Sequence, residues 1–370
     1  MLTAMDDTLW HQIPSTFDHV GTSDPRFFDR HWFAFYAPDG SGAAQLTMGA
    51  YRNMNVLDGA AVVINGGHQY NARASQSLGR EFQTRCGPIT IEMVAPLQAF
   101  RLAIDAGPHL RGEIDWAASV PPHEEQPHFR RQRSRVVEDY QRFDQIGRAN
   151  GWLETDGARI AVHDWWSCRD HSWGVRPRMG IREPVTGAEE GLDERGFTLA
   201  FLFFSTDTLA GHVQLNGREG EPRYTTGMIR EIASGREWAV DGLDLEVDLH
   251  AGTRRFRHAT LRATLDDGTT LALHAKALGA AIAMQGLGYS GGYDDRKGLG
   301  VWRGDRVLEL DRWDVSAPAS IVYGDGKSNE HWHRIQPVAV TATHDGQVDS
   351  RGTGSMTLVL SGRIASLGLG

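Results

Sequence analysis

Cysteine is nearly absent from this chain: Cys86 and Cys168 are the only two in 370 residues, too few for a disulfide framework. Long apolar runs are missing as well. The best, Ala277 to Met284, is broken by Gly279 and falls short of the roughly 20 residues a membrane helix needs, which argues against an integral membrane protein. The start, Met1-Leu2-Thr3-Ala4-Met5-Asp6-Asp7, has no basic stretch followed by an apolar core, so a cytoplasmic location is expected. Positive charge is in deficit. Against 47 Asp and Glu stand 38 Lys and Arg, and the formal charge of −9 argues against nucleic acid or an anionic membrane as partner. Small, neutral or mildly polar molecules suit that field better. No Gly-x-Ser-x-Gly elbow sits within a plausible serine triad, and no P-loop occurs.

Helical periodicity is scarce too, confined to Ser23–Arg30 and Arg133–Phe143. Period-two alternation fills the chain instead. Leu243 to Leu249 alternates apolar and charged residues without a break. Ala259 to Leu265 does the same up to Asp266-Asp267-Gly268 and resumes at Thr269, the signature of a hairpin. Similar runs are Trp32 to Tyr36 before Pro38-Asp39-Gly40, Gln45 to Tyr51, Ala60 to Asn65 before Gly66-Gly67, Trp152 to Val162 across Thr155-Asp156-Gly157, and Gly354 to Leu360. Many short strands at close spacing predict an all-β protein of antiparallel barrels or sandwiches. The length exceeds what one core usually serves, so two domains are expected, 1–180 and 181–370. The turn-rich run at 178–196, with Glu183-Pro184 and Gly187 to Gly191, is the expected junction.

Chemistry concentrates in Arg169-Asp170-His171-Ser172-Trp173-Gly174-Val175-Arg176-Pro177, and just upstream in His163-Asp164-Trp165-Trp166-Ser167-Cys168. A carboxyl held among indoles is desolvated, which raises its pKa and keeps a proton available for donation. Asp170 is therefore the candidate acid, His171 the group that holds it or positions water, and Trp173 the π face for a developing cation. Trp165, Trp166, Arg169 and Arg176 are the candidate substrate contacts, with Trp173 expected to be buried near the domain interface. Alternatively Arg169 or Arg176 pairs with Asp170, and the segment is a structural salt bridge at a domain junction. In a regular strand Asp170 and Ser172 face one side while His171 and Trp173 face the other. Acid and indole share a pocket only if Gly174 or a bulge twists the segment.

Other signals read as structure. Gly286-Leu287-Gly288-Tyr289-Ser290-Gly291 has the letters of a dinucleotide fingerprint but no helix former after it, and reads better as a glycine-rich strand or bulge where backbones approach closely. Phe129 to Arg135 reads as a solvated basic loop. Asp294-Asp295 reads as a turn. His331-Trp332-His333 puts two imidazoles on one side of a strand without a third ligand at a recognisable interval, so no metal is expected. No cofactor is expected either, nicotinamides included.

Asp170-His171-Ser172-Trp173-Gly174 resembles the Asp-His-x-Trp-Gly motif of the carotenoid 1,2-hydratase and AttH-like proteins. The run from Gly147-Arg148-Ala149 through Gly157, Ile160 and Arg169 to Arg176 is similar to the segment before that motif in their uncharacterised bacterial relatives. The resemblance implies two tandem lipocalin-like antiparallel β-barrels. It also implies acid-assisted chemistry on a carbon–carbon double bond of an apolar substrate, with Asp170, His171 and Trp173 as the positions carried over. The family's hydratases also use a downstream Tyr and Asp. This chain offers Phe197 to Phe204 there, with no Asp until Asp207. The expected protein is thus a binder of an apolar or aromatic molecule with lyase or isomerase activity; the alternatives are a non-catalytic carrier and an interaction module.

Overall fold

Turn residues bound each alternating run, and the runs become strands. A computed structural model describes the chain except residues 1, 8, 10, 12, 81, 133, 181–195, 331, 345 and 346, so most of the expected junction lies outside the described residues. The first half forms β1 (Phe27–Tyr36), β2 (Ala43–Tyr51), β3 (Val56–Asn65), β4 (His68–Ser77), β5 (Arg85–Cys86), β6 (Ile89–Ala95), β7 (Ala99–Asp105), β8 (Leu110–Ala118), β9 (His123–Glu124), β10 (His128–Gln132), β11 (Arg135–Thr155) and β12 (Ala158–Val175). The second forms β13 (Phe197–Thr206), β14 (Leu209–Arg218), β15 (Tyr224–Glu231), β16 (Glu237–Leu249), β17 (Phe256–Leu265), β18 (Thr270–Ala277), β19 (Ile282–Ala283), β20 (Arg306–Asp314), β21 (Ile321–Val322), β22 (Ser328–Asn329), β23 (Arg334–His344) and β24 (Gln347–Ser361).

Among the described residues there is no α-helix, and no helix is long and apolar enough to cross a membrane. Both helical expectations are corrected. Ser23–Arg30 runs into β1, and the described part of 133–143 opens β11, because neighbouring strands take up the backbone groups that a helix would use internally.

In the second half β13 to β18 meander, β13 also pairs with β24, and β23 bridges β24 to β18. The sheet closes on itself around Leu202, Phe204, Val213, Leu261, Leu273 and Leu358, which leaves no edge among those strands. In the first half the order β4-β3-β2-β1-β12-β11-β8-β7-β6-β5 curls around Phe33, Phe35, Phe100, Leu102, Trp116 and Trp165. That sheet also recruits residues from the 181–370 span. β20 pairs with β4 along its length, and the buried Arg73 guanidinium crosses to Asp311 (2.6 Å) and Glu309 (3.2 Å).

A third apolar cluster, with Trp32, Tyr36, Trp166, Phe203 and Ile335, fills the space between the two barrels. Tyr36 stacks on Trp166 at 5.9 Å and its hydroxyl meets Ser355 Oγ at 3.0 Å, while Trp166 Nε1 donates to Ser205 Oγ at 2.9 Å. The glycine run is neither strand nor dinucleotide loop but two short 3-10 turns, Met284–Leu287 and Tyr289–Gly291. Close approach does explain its composition, since a Cβ on Gly286 would strike the side-chain amides of Asn71 and Gln69. Asp294-Asp295 is a turn, and residues 129–132 of the basic run belong to strand β10 rather than to a loop, with Arg130 and Arg131 exposed.

Candidate functional site between the barrels

Strands β1, β12 and β11 lie side by side with Asp170 between Trp32 and Asp144, and His171 between His31 and Phe143. Pairing at Gly174 stays in register opposite Tyr140; the one shift between β11 and β12 is at Ala149/Gly151. Gly174, at φ +132°, instead lets β11 come close, since a Cβ there would strike the Asp139 carbonyl oxygen. The alternation of β12 is therefore unbroken from Trp165 to Val175, and its two faces there serve two cavities. Asp170 opens into one of about 680 Å³ between the barrels, whereas His171 and Trp173 line another of about 700 Å³ in the first barrel. Trp173 is 37% exposed, so the expectation that it is buried near the interface is corrected.

Trp32, Arg142, Phe201, Phe203, Tyr289 and His333 line the inter-barrel cavity together with Asp170. Among the described residues no group lies within hydrogen-bond or ion-pair distance of that carboxyl. Burial pushes its pKa up, against the pull of Arg142 and Arg176 and with a further push from Glu125. Arg176 lines the same cavity with its guanidinium 4.6 Å from the Phe28 ring centroid. Arg169 points the other way. It is buried among Phe100, Phe143 and Trp116 at 4.8, 4.9 and 5.1 Å, gives two hydrogen bonds to Gln145 Oε1, and is lowered by burial to about 10. Trp165 belongs to the core of the first barrel and Trp166 to the seam between barrels. The structure thus brings Asp170 and Arg176 together and separates them from His171, Trp173, Arg169 and Trp165.

Behind Asp170 lies a buried cluster that no sequence motif announced. Arg142 Nη2 donates to Glu125 Oε2 (2.7 Å) and to Gln214 Oε1 of the other barrel (2.8 Å), and His128 Nε2 lies 2.6 Å from the same Glu125 oxygen. Atoms of Glu125, Asp144 and His212 lie within 4.8 Å of one another, a spacing that a metal ion could bridge. The local charge favours a proton there instead. Arg142 already neutralises one carboxylate, and with the proton on Asp144 its hydroxyl can bond to Glu125; as two carboxylates the pair would have no donor between them. Accordingly Asp144 is raised well above the usual range, by burial first and Glu125 second. Burial would raise Glu125 too, but Arg142, Asp144 and His128 outweigh it and hold it low. Burial also lowers His212 to about 3 and, together with nearby arginines, His333 to about 4, so both imidazoles are neutral. His331, the other half of the suspected pair, lies outside the described residues.

Sequence reasoning missed Trp32, Arg142, Glu125, Asp144 and His212. The only available signal was the polar letters Arg142, Asp144 and Gln145, at and just past the end of the segment first read as helix.

Three comparisons place this geometry. Search of the curated proteins finds no match. Among solved structures, an AttH-type protein of Nitrosomonas europaea is similar at TM-score 0.52 and 14% identity, covering 91% of this chain and 93% of that one. A structure of CghA with Sch210972 is similar at TM-score 0.50 and 11% identity, covering 90% and 88%. Kievitone hydratase from Nectria haematococca overlaps at TM-score 0.43 and 11% identity, covering 90% and 89%. The first two share the fold, which is all-β, with tandem lipocalin-like barrels. A family model covers residues 2–370, and the chain therefore belongs to a family of unknown function, DUF8625.

Proposed function

We propose that the inter-barrel cavity binds an apolar or aromatic small molecule and that Asp170 protonates it, in lyase or isomerase chemistry such as hydration or dehydration of a carbon–carbon double bond. The observation that carries this reading is the Asp170 carboxyl itself. It stands in a cavity wall, raised by burial, without a partner among the described residues, and a structural carboxyl would have one. A cation formed by protonation needs an electron-rich neighbour. Trp32, directly across from Asp170, offers an indole where Trp173 was expected to. Arg176, on the same wall, suits a ligand that carries a carbonyl or hydroxyl oxygen to accept a hydrogen bond.

A carrier is the second reading, favoured by the separation of Asp170 from the His and Trp of its own motif. One variant tests both. After a ligand is found by mass spectrometry of protein incubated with a hydrophobic metabolite extract, Asp170→Asn is expected to keep its affinity and lose turnover by about 10²–10⁴-fold, because the amide keeps the shape but holds no acidic proton. Full turnover in that variant would end the acid assignment. Equal binding by parent and variant, with no conversion by either, would establish the carrier.

A further inference from the structure

The cavity inside the first barrel is not used by that reading. At about 700 Å³ it has the size of a small-molecule site. Ile13, Phe82, Met93 and Trp173, large apolar side chains that are left exposed, all line it. His11, Phe17 and Val20 of the N-terminal segment line it too, and within that segment Asp6 accepts hydrogen bonds from the backbone of Thr3 (2.6 Å) and Phe17 (2.9 Å). Phe17 meets Phe82 edge-on at 6.4 Å.

The polar groups in the wall are few and specifically placed. His171 Nε2 pairs with Asp29 Oδ1 at 2.7 Å, and the His171 ring lies 4.0 Å from the His31 ring and 5.3 Å from Trp173. His31 Nδ1 is buried without a hydrogen-bond partner among the described residues. Burial, with His171 and Arg169 beside it, keeps the His31 imidazole neutral. A ligand's polar atom would reach the other ring nitrogen, Nε2, which has no protein partner among the described residues either and, unlike Nδ1, is not sealed from the cavity.

We propose that this cavity is a second binding site, for a neutral aromatic molecule bearing a hydroxyl, whose oxygen pairs with His31 and whose ring lies against Trp173 and His171. A hydroxyl both donates and accepts, so it serves either tautomer of a neutral imidazole. A carboxylate would meet the Asp29 carboxyl and find no cation at His31. The aromatic wall selects for shape, since offset and edge-on ring contacts stabilise more than their area alone. This site shares the backbones of β1 and β12 with the cavity of Asp170 but no lining residue, so its failure would leave that reading untouched, and the reverse.

The probe is 2-naphthol, with naphthalene as the same shape lacking the oxygen and 2-naphthoate as its anion. Tryptophan fluorescence should be quenched most tightly by 2-naphthol, and Trp173→Phe should remove most of the quench. His31→Phe is expected to weaken 2-naphthol by about tenfold while leaving naphthalene unchanged, as loss of one hydrogen bond to a buried group would. Equal affinities for the three probes, or equal loss of naphthol and naphthalene in the variant, would overturn the proposal. A location test stands independently of any variant. Crystals soaked in 6-bromo-2-naphthol should show the bromine's anomalous peak inside the first barrel beside Trp173, and a peak only between the barrels would refute the site.

Discussion

Asp144 shows how a single proton can decide whether a buried cluster is stable. Its side chain is almost wholly enclosed between Glu125, Arg142 and His212, and it lies directly across from Asp170 on the neighbouring strand. A carboxyl whose folded pKa is raised contributes stability that is fully present below its ordinary pKa of about 3.8 and is lost as pH rises through the elevated value. Asparagine has no such proton to lose. Urea unfolding at about pH 5 and about pH 8 should therefore show Asp144→Asn gaining on the parent at the higher pH, and a difference independent of pH would mean that Asp144 is already ionised. Arg142 carries the opposite expectation. Arg142→Met leaves Glu125 buried without its guanidinium and should cost about 3–5 kcal/mol in the same measurement.

For the strands, Gly174 makes the sharpest case. It permits a backbone conformation that side chains rarely adopt and a contact that a Cβ would obstruct, so Gly174→Ala should destabilise the pairing of β11 with β12 by about 1–3 kcal/mol. A thermal melt matching the parent would show that the strands can move apart freely. The sequence revealed the strands because period two and turn chemistry are local: Asp266-Asp267-Gly268 and Thr155-Asp156-Gly157 close hairpins that can be read from adjacent letters. It did not reveal which strand lies beside which. Trp32 faces Asp170 across more than a hundred residues of chain, and Glu125, Arg142 and His212 come together from three separate strands or strand ends. Local alternation did separate Asp170 from Trp173 correctly; the bulge that would have reunited them is absent at Gly174.

Across the whole molecule, the two halves are tied by more than contact. Because β20 completes the first sheet, a fragment of residues 1–180 would expose the edge of β4 and leave the Arg73 guanidinium without Asp311 and Glu309. Such a fragment should self-associate and melt well below the full chain. Light scattering that finds it monomeric and equally stable would contradict this. In the intact protein, calorimetry should show one transition, since Tyr36–Ser355, Trp166–Ser205 and Arg142–Gln214 join the barrels through buried or half-buried hydrogen bonds.

The unbroken alternation of β12 from Trp165 to Val175 carries a consequence for how this protein can change over time. Trp166 and Cys168 pack in the seam between the barrels and Asp170 lines the chamber there, whereas Arg169 is buried among rings of the first barrel and His171 and Trp173 line its chamber. Selection on either chamber therefore acts on every second letter of one short segment. Among descendants of this sequence, the even positions should drift together with Trp32 and Arg142, and the odd positions with His31 and Phe143. What reads as a single motif would then be two interleaved inheritances, each free to be rewritten while the other is kept.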